Sequence, residues 1–181
     1  MNFYSSDQHF GHGNIIKYEN RPFKSVEEMD EYMIYKHNLK VSPKDNVYFL
    51  GDCIFSNDEN KTVKLLQRLN GNKHLIYGNH DKIVRTSQLV QQQFNFCKNY
   101  YVNYENINGN KTPIILFHYP IQVWDRKHHG SIHLYGHIHS NKDNHHPMVN
   151  DLVNAYNVGV DVRNFEPVTI EEILKNARTI K

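Results

Sequence analysis

The chain has little cysteine. Two occur among its 181 residues, Cys53 and Cys97, with no CxxC pairing. That excludes a thiolate zinc site and a disulfide framework, and fits a reducing cytosol. No apolar run approaches the roughly 18 residues a membrane-spanning helix needs, so no membrane partner is expected. The N-terminal stretch MNFYSSDQHF lacks a basic segment followed by an apolar one; no secretory signal is expected, and the expected location is cytoplasmic. Neither sign of charge dominates. The 21 Lys and Arg against 19 Asp and Glu leave a formal charge of +2, too little to argue for nucleic acid or membrane. Repeats, low-complexity tracts and long linkers are missing too. With 39% apolar residues, the chain is expected to form one globular domain over residues 1–181.

Histidine is what the chain has in quantity, 13 residues. Composition only raises the expectation of metal chemistry, so positions must decide. Residues 2–6 (NFYSS) read as a strand ending at Asp7. Residues 25–39 read as a helix with Ser25 as N-cap and Glu28 in the capping-box position. Residues 46–50 (NVYFL) form a second strand, followed at once by Gly51 and Asp52. Residues 60–70 form a second helix with Val63, Leu66 and Leu69 on one face and Gly71 suited to C′. Residues 73–77 (KHLIY) form a third strand. In the second half, two strand patterns flank the hairpin pair Asn108-Gly109. Residues 131–136 and 154–160 give further strands, and 169–177 a closing helix with Thr169 and Glu172 as a capping box. The pattern is mixed α/β with helices on both outer faces, first largely parallel and then more antiparallel.

Each of the first three strands ends in a polar cluster: Asp7 and His9, then Asp52, then Asn79 and His80. Sites in parallel α/β sheets form at the carboxyl ends of strands. The second half adds His118 after PIILF, and His137 and His139 after HLYG. Asp7-Gln8-His9 and His137-Ile138-His139 place two ligand types at i and i+2, one face of an extended backbone, so each pair can grip one ion. Asp52 can bridge two cations through its two oxygens, Asn79 offers a neutral carbonyl and His118 another imidazole. This nitrogen and oxygen set suits Mn, Fe, Zn, Ni or Co better than Ca or Cu(I).

The motifs SDQH (6–9), LGD (50–52), YGNHD (77–81), FHYP (117–120) and YGHIH (135–139) stand in the order and rough spacing of the calcineurin-like metallophosphoesterases. The chain resembles the small, compact bacterial and phage-type members. The resemblance implies an α/β fold with a two-layer β-sandwich and flanking helices, four layers α/β/β/α. It implies that Asp7, His9 and His139 hold a first divalent ion, that Asn79, His118 and His137 hold a second, and that Asp52 bridges them, with Mn²⁺ foremost. It further implies that His80 acts on the leaving-group oxygen or stabilises charge on phosphorus, and that Asp81 orients its ring. The implied function is hydrolysis of a small, nucleotide-derived phosphodiester through a hydroxide shared by the two ions. Two cations about 3.5–4 Å apart neutralise the anionic ester and polarise phosphorus. A phosphomonoesterase is the nearest rival, then a nuclease on DNA or RNA, then a non-catalytic scaffold; a chain that keeps every motif residue speaks against the scaffold.

Four further residues are candidate substrate contacts. His12, just past the first pair, could touch substrate or cap a helix. Arg21 is a phosphate clamp or a loop salt bridge. Trp124 and Arg126, in VWDRKHHGSIH, stack on a base and meet phosphate, or belong to an ordinary loop. Asp161 stands between support of the metal shell and turn chemistry. His37 is expected to be structural or solvent-facing, and His145 and His146 to be plain loop residues.

Overall fold

The structure, a computed structural model, describes residues 1–141 and 144–179. Strands β1 (Asn2–Ser5), β2 (Asn46–Phe49), β3 (Asn72–Ile76) and β4 (Phe96–Lys98) form one sheet in that order, all parallel. Strands β5 (Tyr101–Ile107), β6 (Asn110–Leu116), β7 (Ile132–Tyr135) and β8 (Ala155–Asn157) form a second. Helices α1 (Ile15–Tyr18), α2 (Val26–Lys40), α3 (Glu59–Gln67), α4 (Lys82–Thr86) and α5 (Gln88–Gln91) belong to the first half, and α6 (Ile170–Thr179) closes the chain. The fold is mixed α/β, and no helix among the described residues is long and apolar enough to cross a membrane.

Period-two alternation divides the core. Phe3, Val47, Phe49 and Leu75 face a cluster with Met29 and Met33 of α2, Leu66 of α3 and Val84 of α4. Tyr4, Tyr48, Leu50 and Ile76 point the other way, into a cluster with Ile114, Leu116, Ile132 and Leu134 of the second sheet. The two sheets thus share one apolar layer. Helix α6 joins this layer through Ile170 and Ile173. The opposite face of the second sheet carries buried His133, against which Trp124 packs at 5.3 Å. Helices therefore cover the first sheet, and a loop lies over that part of the second, where a helix was expected.

Local signals hold at several ends. Ser25 Oγ accepts from Glu28 N at 3.2 Å, while the Glu28 carboxylate turns to Lys24 N. At α6, Thr169 N donates to Glu172 and Glu172 N donates back to the Thr169 hydroxyl. Helix α3 begins one residue earlier than expected, capped by Asp58, and ends at Gln67. Gly71 is therefore not its C′ residue. It sits at φ +92° in the turn entering β3, packed closely on Val41 and Asp45. In the second sheet only β5–β6 is antiparallel; β6–β7 and β7–β8 are parallel. Parallel pairing makes the connections from β6 to β7 and from β7 to β8 crossovers rather than hairpins, and brings the carboxyl ends of β6 and β7 to one edge.

His37 lies buried on α2, its Nε2 donating to the Asn70 carbonyl at 2.9 Å. Burial pushes its pKa, ordinarily near 6.5, down to about 4. The unfolded chain takes up this proton more readily than the folded one. Stability is therefore full above the unfolded value and falls as pH drops from 6.5 toward 4, by about 1.4 kcal/mol per unit at most. In urea melts at stepped pH, His37→Gln is expected to flatten this acid slope. An unchanged slope would contradict it.

Candidate metal centre

Register ends the parallel strands together: Ser5 pairs with Phe49 and Phe49 with Leu75. The edge strands of the two sheets also meet, because Ser6 N donates to Val158 O and Val160 N donates to Ser6 O. Residues following β1, β2, β3, β6, β7 and β8 thus converge on one patch. Asp7, His9 and His139 form one group there, and Asp52, His118 and His137 another; in each, one candidate ligand atom per residue lies within 4.8 Å of the others. Asn79 joins the second group, its Oδ1 at 3.2 Å from His118 Nε2 and 3.1 Å from His137 Nδ1. Between the groups lies Asp52 Oδ2, 3.8 Å from His9 Nε2 and 3.5 Å from His118 Nε2.

The backbone achieves this by a device the sequence reading did not foresee. Asp7, His9, Asp52, His137 and His139 all have φ between +46° and +71°. Left-handed backbone costs a residue with a Cβ about 1–2 kcal/mol, and its clustering here marks a site that the surrounding fold enforces. The extended i, i+2 geometry therefore does not apply. Asp7 and His9 still meet, but His137 parts from His139, and each serves a different group. Two close approaches complete the cradle: a methyl at Gly78 would strike the Asp52 carboxylate, and one at Gly136 the Asp7 carboxylate and Ser6 hydroxyl.

Protonation suits a cation. Burial carries His9 down to about 3 and His137 to about 4, so both rings are neutral at pH 7. Burial opposes ionisation of Asp52, but the hydrogen bond and charge of His118 and the His80 N–H bring it to about 2. Burial raises fully enclosed Asp7 to about 6. Burial opposes protonation of His118, but the Asp52 hydrogen bond and the charges of Asp7 and Asp52 raise its pKa above the ordinary value. Its Nδ1–H donates to the Leu50 carbonyl at 2.7 Å, so a cation that displaced the second proton would find the Nε2 lone pair facing Asp52 and Asn79. His9 Nε2 is buried with no hydrogen-bond partner. An orphaned imidazole nitrogen among carboxylates, with no thiolate in either group, fits a divalent ion of the nitrogen-and-oxygen-binding kind.

His80 belongs to neither group. Its exposed ring stands 5.5 Å from those of His9 and Phe55, at the mouth of the site. His12 lies beside it, Nδ1 at 3.3 Å from His9 Nδ1. Three expectations need correction. Asp81 does not orient the His80 ring. It is fully buried, and its oxygens accept from the backbone N–H groups of Asp52, Cys53 and Gly78 at 2.8–3.0 Å. The turn at Gly78 aims it inward, where it locks the Asp52 loop. Arg21 is no phosphate clamp: it is buried and forks onto Asp161 at 2.8 and 3.0 Å while donating to the carbonyls of Asp7 and Gln8. Trp124 is buried, donating to Ser131 Oγ, and offers no face to a ligand. The Arg126 side chain is exposed and stays available to a ligand, while its backbone at φ +57° closes a short turn, the carbonyl accepting from His129 and Ser131. His37 is structural and not solvent-facing.

Asp161 settles on the supporting side. Its Oδ2 lies 2.7 Å from His139 Nδ1, leaving Nε2 as the free nitrogen of that ring, and Arg21 grips the same carboxylate. Its signal in the sequence was the one shared by the others, a polar residue just past an apolar strand end. Orienting partners of this kind carry about 10–100-fold in metal affinity. Calorimetric Mn²⁺ titration of Asp161→Asn is expected to show a loss in that range, with the melting temperature also lowered because Arg21 loses half its ion pair. Unaltered affinity would sink the assignment.

No family model matches the chain. The uncharacterized protein MJ1445 of Methanocaldococcus jannaschii is 39% identical over 171 residues, covering 94% of this chain and 87% of that protein. The crystal structure of AQ665, a protein of unknown function from Aquifex aeolicus, matches with a TM-score of 0.74 over 97% of this chain and 98% of that one, at 24% identity, a likeness of fold. The chain therefore belongs to the family of Methanocaldococcus jannaschii MJ1445.

Proposed function

We propose that the chain is a metal-dependent phosphoesterase of the calcineurin-like type acting on a small phosphodiester. In this reading the two sheets are the β-sandwich of an α/β/β/α arrangement whose last layer is reduced to the Trp124 loop. The observation that carries it is the position of Asp52 Oδ2 between two Asp and His groups, 3.8 Å from His9 and 3.5 Å from His118. Asp7, His9 and His139 would hold one divalent ion and Asn79, His118 and His137 the other, with Asp52 common to both. Mn²⁺ is the first choice, with Fe, Zn, Ni or Co as substitutes. When bound, two such ions neutralise the ester's charge and acidify water enough to attack phosphorus near neutral pH.

The chain's own side chains do the rest. His118 and His139, pinned by the Leu50 carbonyl and by Asp161, keep fixed tautomers and need no reorganisation. Asp81 holds the Asp52 loop through three backbone donors. His80, free of both groups and exposed at the mouth, places a proton on the departing alkoxide. Cys53 and Cys97 are free thiols, in keeping with work in a reducing cytoplasm.

A substrate panel with Mn²⁺ tests this reading. It compares bis-p-nitrophenyl phosphate, p-nitrophenyl phosphate and single-stranded DNA, with EDTA as the control. Diester preference abolished by EDTA is the expected result. Preference for the monoester or cleavage of the polymer would replace the substrate class, and inertness toward all three would overturn the reading.

A further inference from the structure

The mouth of the metal centre has two unlike sides. One hollow, of about 270 Å³, is lined by His137, Ser140, Asn141, His145 and His146 and is polar. The other, of about 540 Å³, is lined by His9, His12, Ile15, Tyr18, Phe55 and His80. They touch only along Tyr18, Glu19 and His139, which line both. The second hollow is walled by rings. His12 stacks on Phe55 at 3.8 Å and 15°, and Tyr18 stands edge-on to His12 at 6.2 Å.

These rings are displayed and held. Phe55 is 39% exposed and Tyr18 70% exposed. Phe55 does not hang on a loose loop: its N donates to the Phe10 carbonyl at 2.9 Å, and Phe10 N donates to the Cys53 carbonyl at 3.0 Å. Asp30 of α2 anchors the adjoining Gly11 N–H at 3.1 Å. One face of the Phe55 ring is taken by His12, and the exposed remainder, held at the edge of a polar centre, suits a planar ligand. His80 lines this hollow and not the other.

We infer that the Phe55, His12 and Tyr18 wall is a stacking platform for a planar ring, that of a nucleobase, carried on the leaving-group side of the substrate. This rests on the phosphodiesterase reading above for the word leaving group, and it narrows the substrate to a nucleoside-bearing diester. Phe55 and Tyr18 are then specificity-determining residues. The polar hollow takes the remainder of the substrate.

The test compares two five-membered cyclic diesters with alkoxide leaving groups, 2′,3′-cyclic AMP and glycerol 1,2-cyclic phosphate, on the Mn²⁺-loaded protein. The wild type is expected to favour the nucleotide in kcat/KM. Tyr18→Ala and Phe55→Ala are each expected to cut the ratio of the two values about tenfold, mostly through KM. Calorimetric binding of adenosine 3′-monophosphate should weaken by a similar factor in both variants. No preference in the wild type, or an equal fall for both esters in the variants, would overturn the platform while leaving the hydrolase standing. Failure to cleave either ester would count against the hydrolase; the nucleotide titration then decides the platform alone, upheld if binding weakens in the variants and refuted if it is absent or unaltered.

Discussion

Asp52→Asn is expected, on the phosphodiesterase reading, to retain about a thousandth of wild-type turnover and to bind fewer than two ions per chain. The substitution is nearly isosteric, and its Oδ1 can still accept from His80 N, which Asp52 does at 2.7 Å. The change falls on Oδ2. An amide there points N–H at His9 Nε2 and His118 Nε2, the nitrogens that lie 3.8 and 3.5 Å from it now. On the proposed reading, a negative charge that two ions would share becomes a neutral donor. The Lewis-acid contribution at stake is several kcal/mol, and about 4 kcal/mol corresponds to roughly 10³-fold in rate. Metal content by plasma emission and turnover of bis-p-nitrophenyl phosphate measure the two effects. Full activity with two ions bound would remove Asp52 from its shared position.

His80→Ala separates chemistry from metal binding. The ring lies in neither ligand group, so the variant is expected to keep its complement of ions while turnover falls about 10²–10⁴-fold, the usual worth of general acid help. The loss should shrink for substrates whose leaving group is already acidic, such as p-nitrophenolate, and be largest for alkyl leaving groups. Loss of an ion on substitution would make His80 a ligand and end its proposed role at the leaving oxygen.

Much of the centre is legible in the sequence for one physical reason. Parallel strands of similar length and aligned register end together, so polar residues after NFYSS, NVYFL and KHLIY must become neighbours. The groups formed by Asp7, His9 and His139, and by Asp52, His118 and His137, follow from that. What stayed hidden depends on direction and burial. Asp81 sits next to His80 in the chain, yet its carboxylate turns inward to backbone donors. Arg21 and Asp161 are 140 residues apart, and nothing local announces their pairing. Trp124 reads as a base-stacking ring because it is a lone large ring between two motifs; only the fold shows that it covers His133. Strand β4, three residues long, and helices α4 and α5, of five and four residues, are too short for any period to register.

The candidate ligands are drawn from both sheets: Asp7, Asp52 and Asn79 follow strands of the first, while His118, His137 and His139 follow strands of the second. An ion gripped from both sides acts as a rivet through the molecule as well as a reagent. Loading should therefore register as heat resistance. Each tenfold rise of free Mn²⁺ above its dissociation constant adds about 1.4 kcal/mol to the native state, and a chelator should lower the melting temperature of a sample in which no substrate is ever cleaved.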